Sequence, residues 1–242
     1  MLKHSDFLIK KGADKMNKIY NEDCLEGMKR IPDNSINMIL TDPPYGMSFR
    51  SNRRKNKYEN IKNDKDLSWL PVFAEECYRV SKDNSAHYIF CSFHHIDKFK
   101  QEFEKHFKVK NILTWVKNNT SMGDLKGDFA PKTEFILFLH KGRSLIRGKR
   151  DSNVLEYRRT GNKIHPTQKP LDLTEFLITK FSDPGDIVLD PFIGSGTTAI
   201  ACINTDRNYI GFELDKTYYE KSLERIKDHT IKHKEGINGS TS

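Results

Sequence analysis

No stretch of this 242-residue chain approaches the roughly 18–20 consecutive apolar residues that a membrane span needs. The opening MLKHSDFLIKKGADK lacks the apolar run and small-residue cleavage site of a secretory signal. Cysteine is scarce: Cys24, Cys77, Cys91 and Cys202 stand far apart with no C-x-x-C pair, which argues against a zinc site or disulfide framework and leaves buried thiols. No internal repeat is present. These absences point to a soluble protein of the cytoplasm without a structural metal. What is present suffices for one core: hydrophobic residues make up 36% and charged residues 31%, in a length that suits a single domain of about 150–250 residues.

Acid is in short supply relative to base, and the excess is local. The net charge is +8. Residues 46–66 contribute +4 and residues 143–163 contribute +5, which leaves the remainder at −1. Two short basic segments on a near-neutral body suit contact with phosphates, because each Lys or Arg that neutralises a phosphate releases counterions. Ser, Gly and Asn dilute both segments, as expected of loops, and a pair of solvated loops is the plainer reading of charge alone.

Along the chain, residues 1–15 read as an appendage, with Met16 an alternative start. Lys18-Ile19-Tyr20 is a short strand and Glu22 to Arg30 a short helix. Ile36 to Thr41 (INMILT) is a continuous apolar strand of the kind buried on both faces in parallel sheets, cut off by Pro43-Pro44. Leu70, Phe73, Cys77 and Val80 mark an amphipathic helix, Ser85 to Phe93 a strand, and Ile96, Phe99, Phe103 and Phe107 a second helix. Asn111–Val116 and Glu134–His140 read as an antiparallel hairpin. Leu171 to Phe181 is a helix, Ile187–Asp190 a strand, Gly196–Ile203 a helix, Tyr209–Glu213 a strand and Lys216–Lys232 a helix. The ending, residues 236–242, has no packing material. Alternating strands and helices predict a doubly wound α/β domain over residues 16–235 with a mostly parallel sheet.

Three constellations carry chemistry. In Asp190-Pro-Phe-Ile-Gly194-Ser195-Gly196-Thr197-Thr198-Ala199 a strand ends, a Gly-x-Gly turn follows and a helix begins. Glycines let the backbone approach a ligand there, and helix amides face the ligand's polar end. About 20 residues on, Glu213 ends another strand, where an acid holds ribose hydroxyls, so a nucleoside-containing cofactor is expected. A nicotinamide cofactor competes for that turn. The second constellation, Asp42-Pro43-Pro44-Tyr45, is a rigid turn at least. Its carboxylate, proline-fixed carbonyl and aromatic ring also suit an amino group on a planar ring, with hydrogen bonds that strengthen as positive charge develops on nitrogen. The third, His165-Pro166-Thr167-Gln168-Lys169-Pro170, is by itself a stiff entry to the helix at Leu171.

Taken in order, and with Asn21, Asp23 and Cys24 upstream, these segments resemble the amino-directed DNA methyltransferases, which transfer methyl from S-adenosylmethionine to N6 of adenine or N4 of cytosine. The order resembles their β group, a circular permutation of the Rossmann-like methyltransferase domain, over roughly Lys18 to Ile231. The resemblance implies that Asp190, Phe192, Gly194, Ser195 and Gly196 line the methionine side of the cofactor, that Thr197 and Thr198 donate to its carboxylate, and that Glu213 takes the ribose. It places Asp23 and Cys24 at the adenine ring, and His165, Thr167 and Lys169 over the methionine end, with Lys169 pairing the carboxylate. Asp42, Pro43, Pro44 and Tyr45 become the catalytic turn. Tyr45 stacks on a base flipped out of duplex DNA, at a cost of a few kcal/mol. Phe129 is read first as a core aromatic and second as the cover on the base's other face. Family members with Asp at the first motif position mostly modify adenine, those with Ser mostly cytosine, so Asp42 favours adenine; cytosine N4, or a silent DNA-binding partner of the same fold, is the alternative. Arg53, Arg54 and Lys55 in the first basic segment, and Arg147, Lys149, Arg150, Arg158 and Arg159 in a short recognition segment at 143–163, are expected on phosphates and guanine edges. The resemblance leaves room for a cognate restriction endonuclease as partner, and for a monomer or a homodimer.

Overall fold

The computed structural model describes residues 16–44, 67–120, 125–160 and 168–239, with the backbone alone described from 233 to 239. Residues 1–15 and the basic loop that carries Arg53, Arg54 and Lys55 therefore lie outside the described residues, as do Tyr45, His165 and Thr167.

Eight strands form one sheet in the order β1-β8-β7-β2-β3-β5-β4-β6. They are β1 (Lys18–Tyr20), β2 (Met38–Thr41), β3 (Ser85–Cys91), β4 (Lys108–Val116), β5 (Thr133–Lys141), β6 (Val154–Glu156), β7 (Ile187–Asp190) and β8 (Asn208–Phe212). Only β5 runs against its neighbours, paired antiparallel with both β3 and β4. The helices are α1 (Cys24–Met28), α2 (Leu70–Val80), α3 (Ile96–Glu104), α4 (Leu171–Phe181), α5 (Thr197–Asn204) and α6 (Lys216–Gly239).

The strands alternate side chains across two helix layers, which is why β2, β3 and β7 are buried at every position. Ile39, Ile89 and Leu189 join one core with α1, α2 and α3, while Met38, Leu40, Tyr88, Phe90 and Val188 join the other with α4, α5 and α6. Doubly wound packing of this kind puts every parallel strand's carboxyl end on one rim. That rim carries the residues after β1, β2, β7 and β8, and also those after β4 and β6 and before β5.

Three expectations are corrected. The described part of residues 143–163 is not one loop, because β6 divides it. After β5 reaches the opposite rim at Lys141, residues 142–153 run along that far end, and β6 then returns parallel to β4. Three residues of β6 are too few for a periodic signal, and their partner is remote in sequence. Phe129 is not a core aromatic: it is 92% exposed, in the β4–β5 connection on the site rim. Helix α6 continues beyond Lys232 to Gly239, because Gly and Asn weaken a helix without forbidding it. All four cysteines are buried and unpaired. No helix among the described residues is long and apolar enough to cross a membrane.

Candidate active site

Strands β2 and β7 lie side by side in parallel, with Met38 opposite Val188 and Ile39 opposite Leu189. The two chemical turns that follow them, at Asp42 and at Gly194–Gly196, are thereby set next to each other, although 150 residues separate them in sequence. A hydrogen bond seals the junction: Thr41 Oγ1 donates to Asp190 Oδ1 at 2.7 Å. Asp190 also accepts from the Phe192 amide at 3.1 Å and from Thr198 Oγ1 at 2.6 Å. The carboxylate thus ties β7 to β2 and to the first turn of α5. Burial is the largest influence on it, and pushes its pKa up to about 6 against the pull of these donors.

The turn itself is shaped by glycine. Gly196, the residue before α5, has φ of 78°, and a side chain there would meet Ile226 Cδ1 at 3.1 Å, so only glycine suits both the left-handed backbone and the closeness of α6. Glu213, just past β8, accepts the Gly194 amide on Oε2 at 3.1 Å and the Asp215 amide on Oε1 at 2.8 Å. Burial pushes its pKa up to about 7. Asn21 spans the tips of β1 and β8, donating to the carbonyls of Glu213 and Leu214 at 2.8 and 3.1 Å. Asp23 caps α1 by accepting from the Leu25 amide at 2.8 Å, beside the buried Cys24. Glu213, Asn21, Asp23, Cys24 and the glycine turn therefore share one flank of the rim.

Several side chains have partners other than those the resemblance implied. Thr198 is buried and committed to Asp190, and is not turned to a ligand carboxylate. Thr197 Oγ1 and Ser195 Oγ lie 3.3 Å apart, and Arg225 of α6 reaches both, as well as the Ser195 carbonyl at 2.9 Å. Arg225 braces the turn from behind, a role the sequence did not disclose, since it is one of many charged residues on α6. Phe192 packs edge-on against Trp69 and Phe73, with ring centroids 5.8 and 5.4 Å apart, and so joins the α2 core. Lys169 is ion-paired to Asp42 at 2.6 Å and to Glu134 at 2.9 Å. Glu134 was not anticipated either; it is the second residue of β5, where a strand pattern gives no hint of a bridge to two distant lysines.

The basic residues divide between the two rims. Arg158 and Arg159 follow β6 on the site rim, where the Arg159 amide donates to Asn118 Oδ1 at 2.9 Å. Arg147, Lys149 and Arg150 precede β6, at the far end. Arg147 is held there by a two-pronged bond to Asp183 at 3.1 and 2.7 Å. Lys180, in the last turn of α4, binds the Lys149 carbonyl at 3.0 Å and pairs with Asp151. The structure does not bring these three to the crevice.

The arrangement offers two acids, Asp190 and Glu213, that no Lys or Arg pairs with among the described residues, beside the glycine turn whose Phe192 and Gly194 amides they accept. That environment fits a ligand with hydroxyl donors and a positive centre. The adjoining acid, Asp42, stands where an acceptor amine would be met.

A family model described as DNA methylase matches residues 36–224, well over half of the chain. Over 246 residues the chain is 33% identical to the type II methyltransferase M2.MboI of Moraxella bovis, covering 90% of each protein. It is 29% identical over 244 residues to the DNA adenine methyltransferase YhdJ of Escherichia coli, covering 86% of this chain and 82% of that protein. Among solved structures, the complex of M1.HpyAVI with SAM superposes with a TM-score of 0.67 at 32% identity, covering 86% of this chain and 98% of that one. With the catalytic and glycine turns joined at neighbouring strand tips, the chain belongs to the family of DNA methyltransferases that act on amino groups of bases.

Proposed function

We propose that the protein is a site-specific methyltransferase that modifies N6 of adenine in duplex DNA, with S-adenosylmethionine as donor. The observation that carries the reading is the Thr41–Asp190 hydrogen bond between β2 and β7, which puts Asp42 beside the glycine turn. The acid at position 42 favours adenine, and the YhdJ relative is named for adenine; N4 of cytosine is the second reading, because the family spans both amines.

When bound, S-adenosylmethionine supplies an electrophilic methyl group on its sulfonium sulfur. This chain's residues would hold it with Glu213 on the ribose hydroxyls, Asp23 and Cys24 at the adenine ring, and Gly194, Ser195 and Gly196 along the methionine end. The neutral-donor setting of Asp190 and Glu213 suits a cationic, hydroxyl-bearing molecule, since each acid gains from a positive charge or a new donor. Asp42 and the Pro43 carbonyl accept the two hydrogens of the target amine and so favour a pyramidal, charge-bearing nitrogen. The reaction is direct in-line transfer without a protein-bound intermediate. Pro44 fixes the turn, and Tyr45 is assigned the stacking face for a base flipped out of the duplex. The exposed Phe129 on the same rim is assigned the base's opposite face. Arg158, Arg159 and the segment with Arg53, Arg54 and Lys55 are assigned to the DNA backbone.

Nucleoside mass spectrometry of DNA from cells expressing the protein tests the reading. N6-methyladenine is expected; N4-methylcytosine would shift the assignment to the other amine. Asp42→Ala is expected to abolish the product and leave cofactor affinity, measured by calorimetry, near wild type. Equal loss of both in a folded variant would remove Asp42 from the catalytic role.

A further inference from the structure

Lys169 Nζ sits 2.6 Å from Asp42 Oδ2 and 2.9 Å from Glu134 Oε2. The other oxygen of Glu134, Oε1, is 2.8 Å from Lys117 Nζ. Two lysines and two carboxylates from four elements thus alternate along one line: Lys117 after β4, Glu134 on β5, Lys169 before α4 and Asp42 after β2. The two lysines are largely buried, with side chains 9% and 12% exposed. Lys169 also lies over the Phe90 ring, 4.8 Å from its centroid. An ammonium has three hydrogens to give. Two point at protein carboxylates, and an aromatic face covers the same nitrogen. A ligand carboxylate placed there would make a third anion around one cation.

We infer that Lys169 is the counter-ion and positioning residue of the catalytic carboxylate, not a ligand of the cofactor, and that Glu134 with Lys117 braces it. The inference rests on the catalytic assignment of Asp42 made above. Among the described residues, the charged and titratable groups around Asp42 include Lys169 before α4, Asp190 on β7, whose negative charge opposes its ionisation, the buried Cys91 thiol on β3, and Glu134 and Lys117 behind Lys169. The ammonium, 2.6 Å from Oδ2, favours the anionic form of Asp42 and fixes the direction of that oxygen. Glu134 shares that ammonium, so the charge of Asp42 is only partly offset and its carboxylate keeps acceptor capacity for an amine. The same bond to Asp42 and Glu134 raises the basicity of Lys169 itself despite its burial, so it remains charged at any working pH.

Three variants, Lys169→Met, Lys169→Arg and Glu134→Gln, test this by kcat–pH profiles on duplex DNA and by calorimetric titration with S-adenosylmethionine. Lys169→Met is expected to lower kcat about a hundredfold, as for loss of one preorganised electrostatic partner. Its cofactor Kd should stay within about threefold, and its acid limb should move to higher pH, because Asp42 without its cation is harder to ionise. Lys169→Arg should restore the limb and part of kcat. A tenfold or greater rise in Kd, with kcat at saturating cofactor and the acid limb both unmoved, would overturn the inference and return Lys169 to the cofactor. Should Lys169→Met fail to fold, Glu134→Gln decides: with one anion removed, Lys169 serves Asp42 alone and the acid limb should move to lower pH. An unmoved limb there overturns the brace. Retention of methyl transfer by Asp42→Ala would instead overturn the underlying catalytic assignment, a result distinct from either lysine outcome.

Discussion

The two flanks of the crevice treat their acids differently. On the β7–β8 flank, Asp190 and Glu213 are held among the described residues by hydroxyls and amides, and burial pushes their pKa values up to about 6 and about 7. On the flank formed by β2, β4 and β5, Glu134 lies between two lysines and Asp42 pairs with one of them, and Glu134 is held below its ordinary value by Lys169 and Lys117 in spite of burial. An acid held by neutral donors has electrostatic capacity left for a ligand; an acid already paired to a cation has its charge state fixed before any ligand arrives. The first flank is thus suited to respond to what binds, the second to stay constant while it acts.

The strongest way to break this contrast is to remove Asp190. Asp190→Ala leaves two buried hydroxyls and the Phe192 amide without their acceptor, and removes the side-chain tie between the tips of β2 and β7. A loss of about 3 kcal/mol in folding stability is expected, from the cost of unsatisfied buried donors. Asp190→Asn retains one acceptor oxygen and should lose about 1 kcal/mol. Urea denaturation with an unchanged m-value checks both. A loss below about 1 kcal/mol for the alanine variant would mean that water replaces the carboxylate, so that it does not tie the strands.

Glu213 sharpens the contrast through pH. A carboxyl with a raised folded-state value favours the native state while protonated. That contribution is fully present below its ordinary value of 4.5 and is lost as pH rises through about 7. Ribose hydroxyls donate to the ionised form, so cofactor binding runs the other way. Affinity should weaken as pH falls below about 7, approaching about tenfold per unit. Glu213→Gln should flatten both profiles and weaken binding at pH 8 about tenfold, the worth of a charged hydrogen bond. Calorimetry from pH 5.5 to 8.5 measures this. A wild-type affinity that does not change across that range would show that the acid's charge plays no part in binding.

What could be read from sequence follows from what is local. Strand and helix positions were legible because apolar residues repeat at fixed spacing: α4 and β7 fall at Leu171–Phe181 and Ile187–Asp190, as the pattern alone implies. The turns at Asp42 and Gly194–Gly196 were legible because proline and glycine constrain the backbone by themselves. Partnerships were not. Nothing near Thr198 in sequence says that its hydroxyl serves Asp190 and not a ligand, and nothing near Glu134 announces Lys117 and Lys169. Such pairs form only when strand order is known. The same reason hid the course of residues 143–163, which looked like one basic segment until β6 parted it.

That parting carries the contrast over to the arginines and gives the smallest of the expected effects. Arg147 is to the far rim what Lys169 is to the near one: its charge is taken up, here by Asp183 in two bonds. Arg158 is exposed on the site rim and makes no ion pair among the described residues, and Arg159 stands beside it. A cation available for phosphate displaces condensed counterions on binding, whereas one already paired within the protein does so far less. Arg158→Ala and Arg159→Ala are therefore each expected to reduce the slope of log affinity against log salt by about 1, which amounts to severalfold in affinity at moderate salt. Arg147→Ala should leave that slope unchanged and cost at most about 1 kcal/mol of stability, as for an exposed ion pair. Fluorescence anisotropy on one duplex across a salt series separates the cases. If Arg147→Ala flattened the slope as much as Arg158→Ala, DNA would have to reach both ends of the sheet, and the rim that holds Asp42 could not be the sole contact face.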